Sequence, residues 1–154
     1  MSEFNKENNQ ASDTIPIQAG ILKKGSYAIL KGYPCKITEI STSKTGKHGH
    51  AKASITGIDI FTGKKYQDIS PTSHNIMQPI INKKDYQLIE ITEDNFVCLM
   101  DQEGNTREDL SIDIYNDDNH KKIKTDFESG KNIIVTVMKC MQKEKIVACK
   151  EALD

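Results

Sequence analysis

The sequence predicts an all-β (mainly β) protein: a small barrel followed by an OB-fold domain with one short helix. Three observations predict it. Short apolar runs are interrupted every several residues by Gly, Pro or polar pairs, the texture of many short strands. Only one segment, near residues 117–130, carries helix start and stop signals. The charge is also divided. The 154 residues hold 21 Lys+Arg and 22 Asp+Glu, for a net charge of −1. Residues 21–84 carry eleven lysines against three acids, whereas residues 85–154 carry nine basic residues against sixteen acids. A basic half joined to an acidic half points to two domains, the first suited to meeting an anion.

In order along the chain, residues 1–14 are rich in Asn, Glu and Ser, lack a core pattern and read as a disordered N-terminal tail. Strands are expected near 17–22, 27–30, 34–41, 53–60, 65–69 and 75–81, punctuated by Lys24-Gly25, Lys31-Gly32, Thr62-Gly63 and Ser70-Pro71. Ala53 and Ile55 share one phase, and Ile58 and Ile60 the other. The expected slip falls at Gly57, as a bulge or bend that closes a small barrel. Thr62-Gly63-Lys64 reads as a tight hairpin turn. Residues 79–82 are the candidate boundary, giving domains 15–82 and 83–154. The second half reads as strands near 86–92, 96–101 and 106–112, a helix, then strands near 133–141 and 146–150, which is the element order of an OB-fold. Residues 101–105 form a hairpin turn. Asp117, Asp118 and Asn119 offer helix caps, Ile123 and Phe127 form an apolar stripe, Lys124 and Glu128 can pair, and Gly130 ends the helix.

Several classes are disfavoured. No apolar run approaches the roughly 18–20 residues that span a bilayer, and the first ten residues lack a signal-peptide core, so no membrane is expected and the cytoplasm is the default. Cys35, Cys98, Cys140 and Cys149 are widely and irregularly spaced, with no Cys-x-x-Cys. They read as buried reduced thiols rather than a disulfide framework or zinc site.

The chemistry concentrates between the third and fourth strands, in Ser41-Thr42-Ser43-Lys44-Thr45-Gly46-Lys47-His48-Gly49-His50-Ala51-Lys52. This stretch has three lysines, two histidines and no acid, so it reads as an exposed tip. Gly46 and Gly49 bracket Lys47-His48 and allow a sharp turn, with Lys47 projecting from the apex. The stretch is not a P-loop, because Ser41 stands at the first Gly position and His48 replaces the hydroxyl residue. His48 and His50 are two apart and a third ligand, His74 or Cys35, has no supporting spacing, so no metal is expected. No acid lies between Glu39 and Asp59 to orient a catalytic base, so no catalytic residue and no enzyme activity is expected. On chemistry alone, a nucleic-acid contact and a solvated charged loop are evenly matched.

The same stretch resembles the hypusination loop of the eukaryotic translation initiation factor 5A family. Further matches are Leu30-Lys31-Gly32, Pro34-Cys35-Lys36-Ile37, the run Gly57-Ile58-Asp59-Ile60-Phe61-Thr62-Gly63-Lys64-Lys65-Tyr66, His74-Asn75 and Arg107-Glu108-Asp109-Leu110. Tyr33 and Ser70 depart from the family pattern. The resemblance runs from about Ile17 onward and implies an SH3-like barrel, carrying the loop, followed by an OB-fold. It further implies that Lys47 becomes hypusine. Deoxyhypusine synthase would transfer an aminobutyl group from spermidine, and deoxyhypusine hydroxylase would then add the hydroxyl. No separate cofactor is implied, since hypusine is a spermidine-derived covalent modification. Ser43, Lys44, Thr45, Gly46, His48, Gly49, His50 and Lys52 would be the surrounding ribosome- and tRNA-contacting residues. The implied function is a translation factor, in initiation, elongation and termination. It would bind the ribosome next to the acceptor end of the peptidyl-tRNA and promote peptide-bond formation at slow sequences such as polyproline. A monomer is expected, with a weak dimer as the alternative, in the cytoplasm with the nucleus as a second location. The alternative function is a general single-stranded RNA-binding OB-fold protein, which the acidic balance of residues 85–154 disfavours.

Overall fold

The computed structural model describes residues 13–44 and 51–153. Two compact units divide the chain: the first ends at Ile80 and also takes Cys140–Gln142, and the second holds Ile81–Lys139 and the residues from Lys143 onward. The described residues are mainly β, with one α-helix and one 3-10 turn. Of the expected tail, only Asp13 and Thr14 are described, and Thr14 already pairs with Pro79; residues 1–12 lie outside the described residues.

The first unit contains β1 (Thr14–Gln18), β2 (Tyr27–Leu30), β3 (Tyr33–Lys44), β4 (Ala51–Asp59), β5 (Lys65–Pro71) and β6 (Asn75–Pro79). An antiparallel sheet runs β2-β3-β4-β5, while β1 pairs with β6. Alternation sends Ala28 and Leu30, Cys35 and Ile37, and Ala53 and Ile55 to one side, where they form the core with Ala19 and Leu22. The expected strand at 17–22 is not continuous. β1 stops at Gln18 and Ala19–Ile21 form a 3-10 turn. A distant segment imposes the turn, since Ala19 N donates to His74 O (2.9 Å) and Gly20 N to Thr72 O (2.9 Å).

The expected slip at Gly57 is also corrected. Ala53, Ile55, Gly57 and Asp59 hold one continuous buried phase through β4. The irregularity lies on the facing strand. Ile37 pairs with Gly57 and Glu39 with Thr56, which leaves Thr38 as the extra residue of β3. Gly57 answers to a different constraint. A Cβ there would stand 2.9 Å from Cys35 Cβ, 2.9 Å from the Lys36 carbonyl oxygen and 3.0 Å from Leu30 Cδ1. Asp59, only 4 % exposed, takes the next inward slot, and its Oδ1 accepts from Phe61 N (2.8 Å) and Thr62 N (3.4 Å). It thereby supports the turn in which Gly63 has φ +78°.

The second unit contains β7 (Ile81–Ile91), β8 (Phe96–Met100), β9 (Thr106–Ser111), α1 (Asp118–Glu128), β10 (Ile133–Cys140) and β11 (Lys143–Glu151). Its sheet runs β11-β10-β7-β8-β9. Register shifts between Leu88 and Glu90, and between Val97 and Leu99, curl it around Leu88, Val97, Leu99, Ile123, Ile133, Val135 and Ile146. The two outer strands meet through side chains. Arg107 of β9 binds Glu144 of β11 with two bonds, of 2.7 and 3.0 Å, and Asp109 with two more, of 2.7 and 2.6 Å. Its guanidinium also lies 5.7 Å from the Tyr86 ring centre.

Asp117 caps α1 by accepting from Asn119 N and His120 N, and Gly130, at φ +91°, follows its end. Ile123 is fully buried and Phe127 packs beside it, as the stripe requires. The expected Lys124–Glu128 pair gives way to a tertiary bond from Lys124 Nζ to Asn95 Oδ1 (3.0 Å). Buried His120 ties α1 to its surroundings: its Nδ1 accepts from Asp113 N (2.9 Å) and its Nε2 donates to Ile146 O (2.7 Å). Cys35 and Cys140 are buried, whereas Cys98 and Cys149 are half-buried; all four are free thiols.

Candidate functional site

Two long strands carry the lysine-rich stretch. β3 and β4 pair as far as Thr42–Ala53, Ser43–Lys52 and Lys44–Ala51. The connecting residues Thr45, Gly46, Lys47, His48, Gly49 and His50 lie outside the described residues. The described members, Ser43, Lys44 and Lys52, are exposed and stand side by side at the strand ends that flank the connection. Beyond Ala53, which is buried in the core, β3 is exposed on both faces. Two further residue pairs therefore carry the strand ends about 7 Å past the core, at roughly 3.4 Å per residue.

The loop end of this hairpin is held at Ala51. Thr72, in the β5–β6 turn, donates to Ala51 O through both its backbone N (3.0 Å) and its Oγ1 (3.3 Å). Thr72 is held in turn by Gly20, where a Cβ would sit 3.0 Å from Thr72 O and 3.1 Å from Thr72 Cβ. Sequence reasoning missed Gly20 and Thr72, because their role exists only through contacts between positions far apart in the chain, 21 residues for Thr72 with Ala51. Their one visible signal is a Gly inside an apolar run.

The electrostatics separate the lysines into groups. Lys44 and Lys52 mark the loop end of the β2–β5 sheet. Lys36 and Lys65 flank Ile58 near the opposite end, and Lys64 sits in the turn beyond it. Lys31 is engaged with Asp68, at 3.7 Å to Oδ1 from its Nζ and 3.2 Å to Oδ2 from its backbone N. Cys35 is fully buried, and burial pushes its thiol up to about 11, which removes it as a partner for the loop histidines. Among the described residues no group of three His, Cys, Asp or Glu comes together to hold a metal ion, and no helix is long and apolar enough to cross a membrane.

Comparison with known proteins accounts for both units. Residues 12–74 match the family model "Translation initiation factor 5A-like, N-terminal", and residues 80–150 match "Eukaryotic elongation factor 5A hypusine, DNA-binding OB fold". The chain is 51% identical to eukaryotic translation initiation factor 5A-2 of Solanum lycopersicum over 142 residues, covering 92% of this chain and 88% of the relative. It is 46% identical to eukaryotic translation initiation factor 5A of Spodoptera exigua, covering 99% of this chain and 96% of the relative. The solved structure of a translation initiation factor 5A family protein from Naegleria fowleri is 52% identical, with a TM-score of 0.82, over 90% of this chain and 99% of that one. Two adjoining matches that together span most of the chain, and relatives of this identity along most of their length, make the chain a member of the eukaryotic translation initiation factor 5A family, a translation factor and not an enzyme.

Proposed function

We propose that this translation factor binds the ribosome beside the peptidyl-tRNA and uses hypusinated Lys47 to steady the tRNA acceptor end. One observation carries the reading: the β3–β4 hairpin extends past the barrel core, is held at Ala51 by Thr72, and joins its strand ends through Thr-Gly-Lys-His-Gly-His. Plain lysine offers one ammonium on a four-carbon stem. A hydroxylated aminobutyl arm roughly doubles that reach and adds a second cationic nitrogen and a hydroxyl that can donate or accept. Such an arm reaches into an RNA-lined cleft too narrow for the barrel, where its two positive centres contact backbone phosphates. Holding the acceptor end in a reactive geometry favours peptide-bond formation at slow sequences such as proline runs, and favours release. This is rate enhancement by positioning. Small Gly46 and Gly49 beside Lys47 allow deoxyhypusine synthase to draw the lysine into its own pocket, after which deoxyhypusine hydroxylase completes the arm.

The test is the mass of the peptide containing Lys47, taken from protein of its native cells. The expected result is an adduct of one hydroxylated aminobutyl group; plain lysine in cells that hold both modifying enzymes overturns the reading. A Lys47→Arg chain should fold normally yet fail to support growth when it is the sole copy, and full complementation would remove Lys47 from the mechanism.

A further inference from the structure

We propose that the outward face of the β3–β4–β5 sheet is a second contact surface, for the sugar–phosphate backbone of double-helical RNA. The proposal rests on the ribosomal reading only for where such RNA is met.

Strand register defines this face. The core takes Cys35, Ile37, Ala53, Ile55 and Gly57, so the alternate positions point outward. Near one end, Lys36, Ile58 and Lys65 lie in a row across the three strands. Lys36 and Lys65 are two strand spacings apart, roughly 10 Å. The Thr38 bulge shifts β3 by one residue, so that beyond it Glu39, Ser41 and Ser43 take over the outward positions opposite Thr56, Ser54 and Lys52. Lys52 is six residues along β4 from Ile58, about 20 Å.

The face thus carries cations at both ends, with Ser41, Ser54 and Gln67 offering polar groups between them, while Thr56, 8 % exposed, is covered. Its middle is ordered: Gln67 Nε2 donates to Ser54 Oγ at 2.7 Å. Lys36, Lys52 and Lys65 are exposed and have no ion-pair partner among the described residues. Glu39 is the one acid on the face.

This composition selects among occupants. Single-stranded recognition uses aromatic platforms on which bases stack, and the centre of the face has none; Tyr27 stands only at the corner, beside Lys36. Lysines spaced apart, with Ser and Gln between them, are groups that contact phosphate and sugar. The wide, shallow minor groove of A-form RNA exposes 2′-hydroxyls and flanking phosphates together, and such a face of spaced lysines and small polar groups reaches both. Exposed Ile69, 64 % accessible, lies beside Ser54 and suits the apolar edge of a ribose.

The experiment uses the full chain carrying plain Lys47, so that no modified arm contributes. Fluorescence anisotropy with a labelled RNA hairpin of about 16 base pairs is measured between 50 and 200 mM KCl. Lys36→Gln/Lys65→Gln is expected to weaken binding and lower the slope of log affinity against log salt by about two. Lys121→Gln/Lys122→Gln, which makes the same charge change on α1, should leave the slope unaltered. Equal effects of the two pairs, no effect of the first, or preference for a single strand of the same sequence overturns the proposal. So does stronger binding to polyglutamate than to RNA, which makes the face a protein-docking surface. None of these outcomes touches modification of Lys47, which the peptide mass tests separately.

Discussion

Replacing Gly57 by alanine tests how closely β3 and β4 must approach. The new methyl would meet Cys35 Cβ and the Lys36 carbonyl oxygen at 2.9 Å, and Leu30 Cδ1 at 3.0 Å. The leucine methyl can swing aside. The carbonyl belongs to the β3 backbone and cannot, so the strands must part by about 0.5 Å to restore ordinary contact of 3.4 Å or more. Overpacking of this kind costs about 1–3 kcal/mol. Alanine recovers about 0.5–1 kcal/mol of backbone entropy relative to glycine. The net expectation is a loss of about 1–2 kcal/mol, confined to the first unit. For a unit of this size that lowers the melting temperature by roughly 5–15 °C. Calorimetry of the full chain is the assay, with Gly63→Ala as the comparison for a glycine that has open space but positive φ. A Gly57→Ala protein as stable as its parent would refute the close-approach argument.

Arg107→Leu should destabilise the second unit by about 1–3 kcal/mol, mostly through Glu144, since Asp109 is well exposed and screened. Arg107 bonds hold the Asp109 and Glu144 carboxyls below the usual range. Their contribution is therefore complete above about pH 5 and lost as pH falls through the lowered values, and urea midpoints from pH 7 to 3 should be flatter in the variant. Asp117→Ala removes the bonds to Asn119 N and His120 N and should cost about 1 kcal/mol, read by urea unfolding; no change would remove the cap from the account. Burial pushes the Cys35 and Cys140 thiols up to about 11, so alkylation of the native protein at pH 7.5 should spare both and reach them only after unfolding.

The loop was legible in the sequence because its chemistry is contiguous: twelve residues in a row declare it. Strand phases were legible where both sides of the alternation were ordinary, as in Ala53 and Ile55. They failed where an inward slot held an unexpected residue. Gly57 and Asp59 occupy such slots, one because a neighbour's backbone leaves no room, the other because its carboxylate serves the following turn. That made Ile58 and Ile60 look like a change of face. The strand expected through 17–22 broke for a related reason, since Ala19 and Gly20 bond to His74 and Thr72. Lys124 likewise found Asn95, 29 positions away, rather than the glutamate one turn along. Nothing in the linear text pairs Arg107 with Glu144, 37 positions away.

That last contact bears on solubility. A sheet curled into a barrel has to settle what its first and last strands do with their unpaired amides and carbonyls. Here the outermost strands meet through a guanidinium and two carboxylates, and β9 reads Thr-Arg-Glu-Asp-Leu-Ser. A neighbouring chain seeking to add a strand at that edge must first strip water from these charges and pull apart the Arg107 cluster. The clip that closes the fold therefore also guards against edge-to-edge aggregation, and its protection weakens under the acidic conditions that discharge its carboxylates.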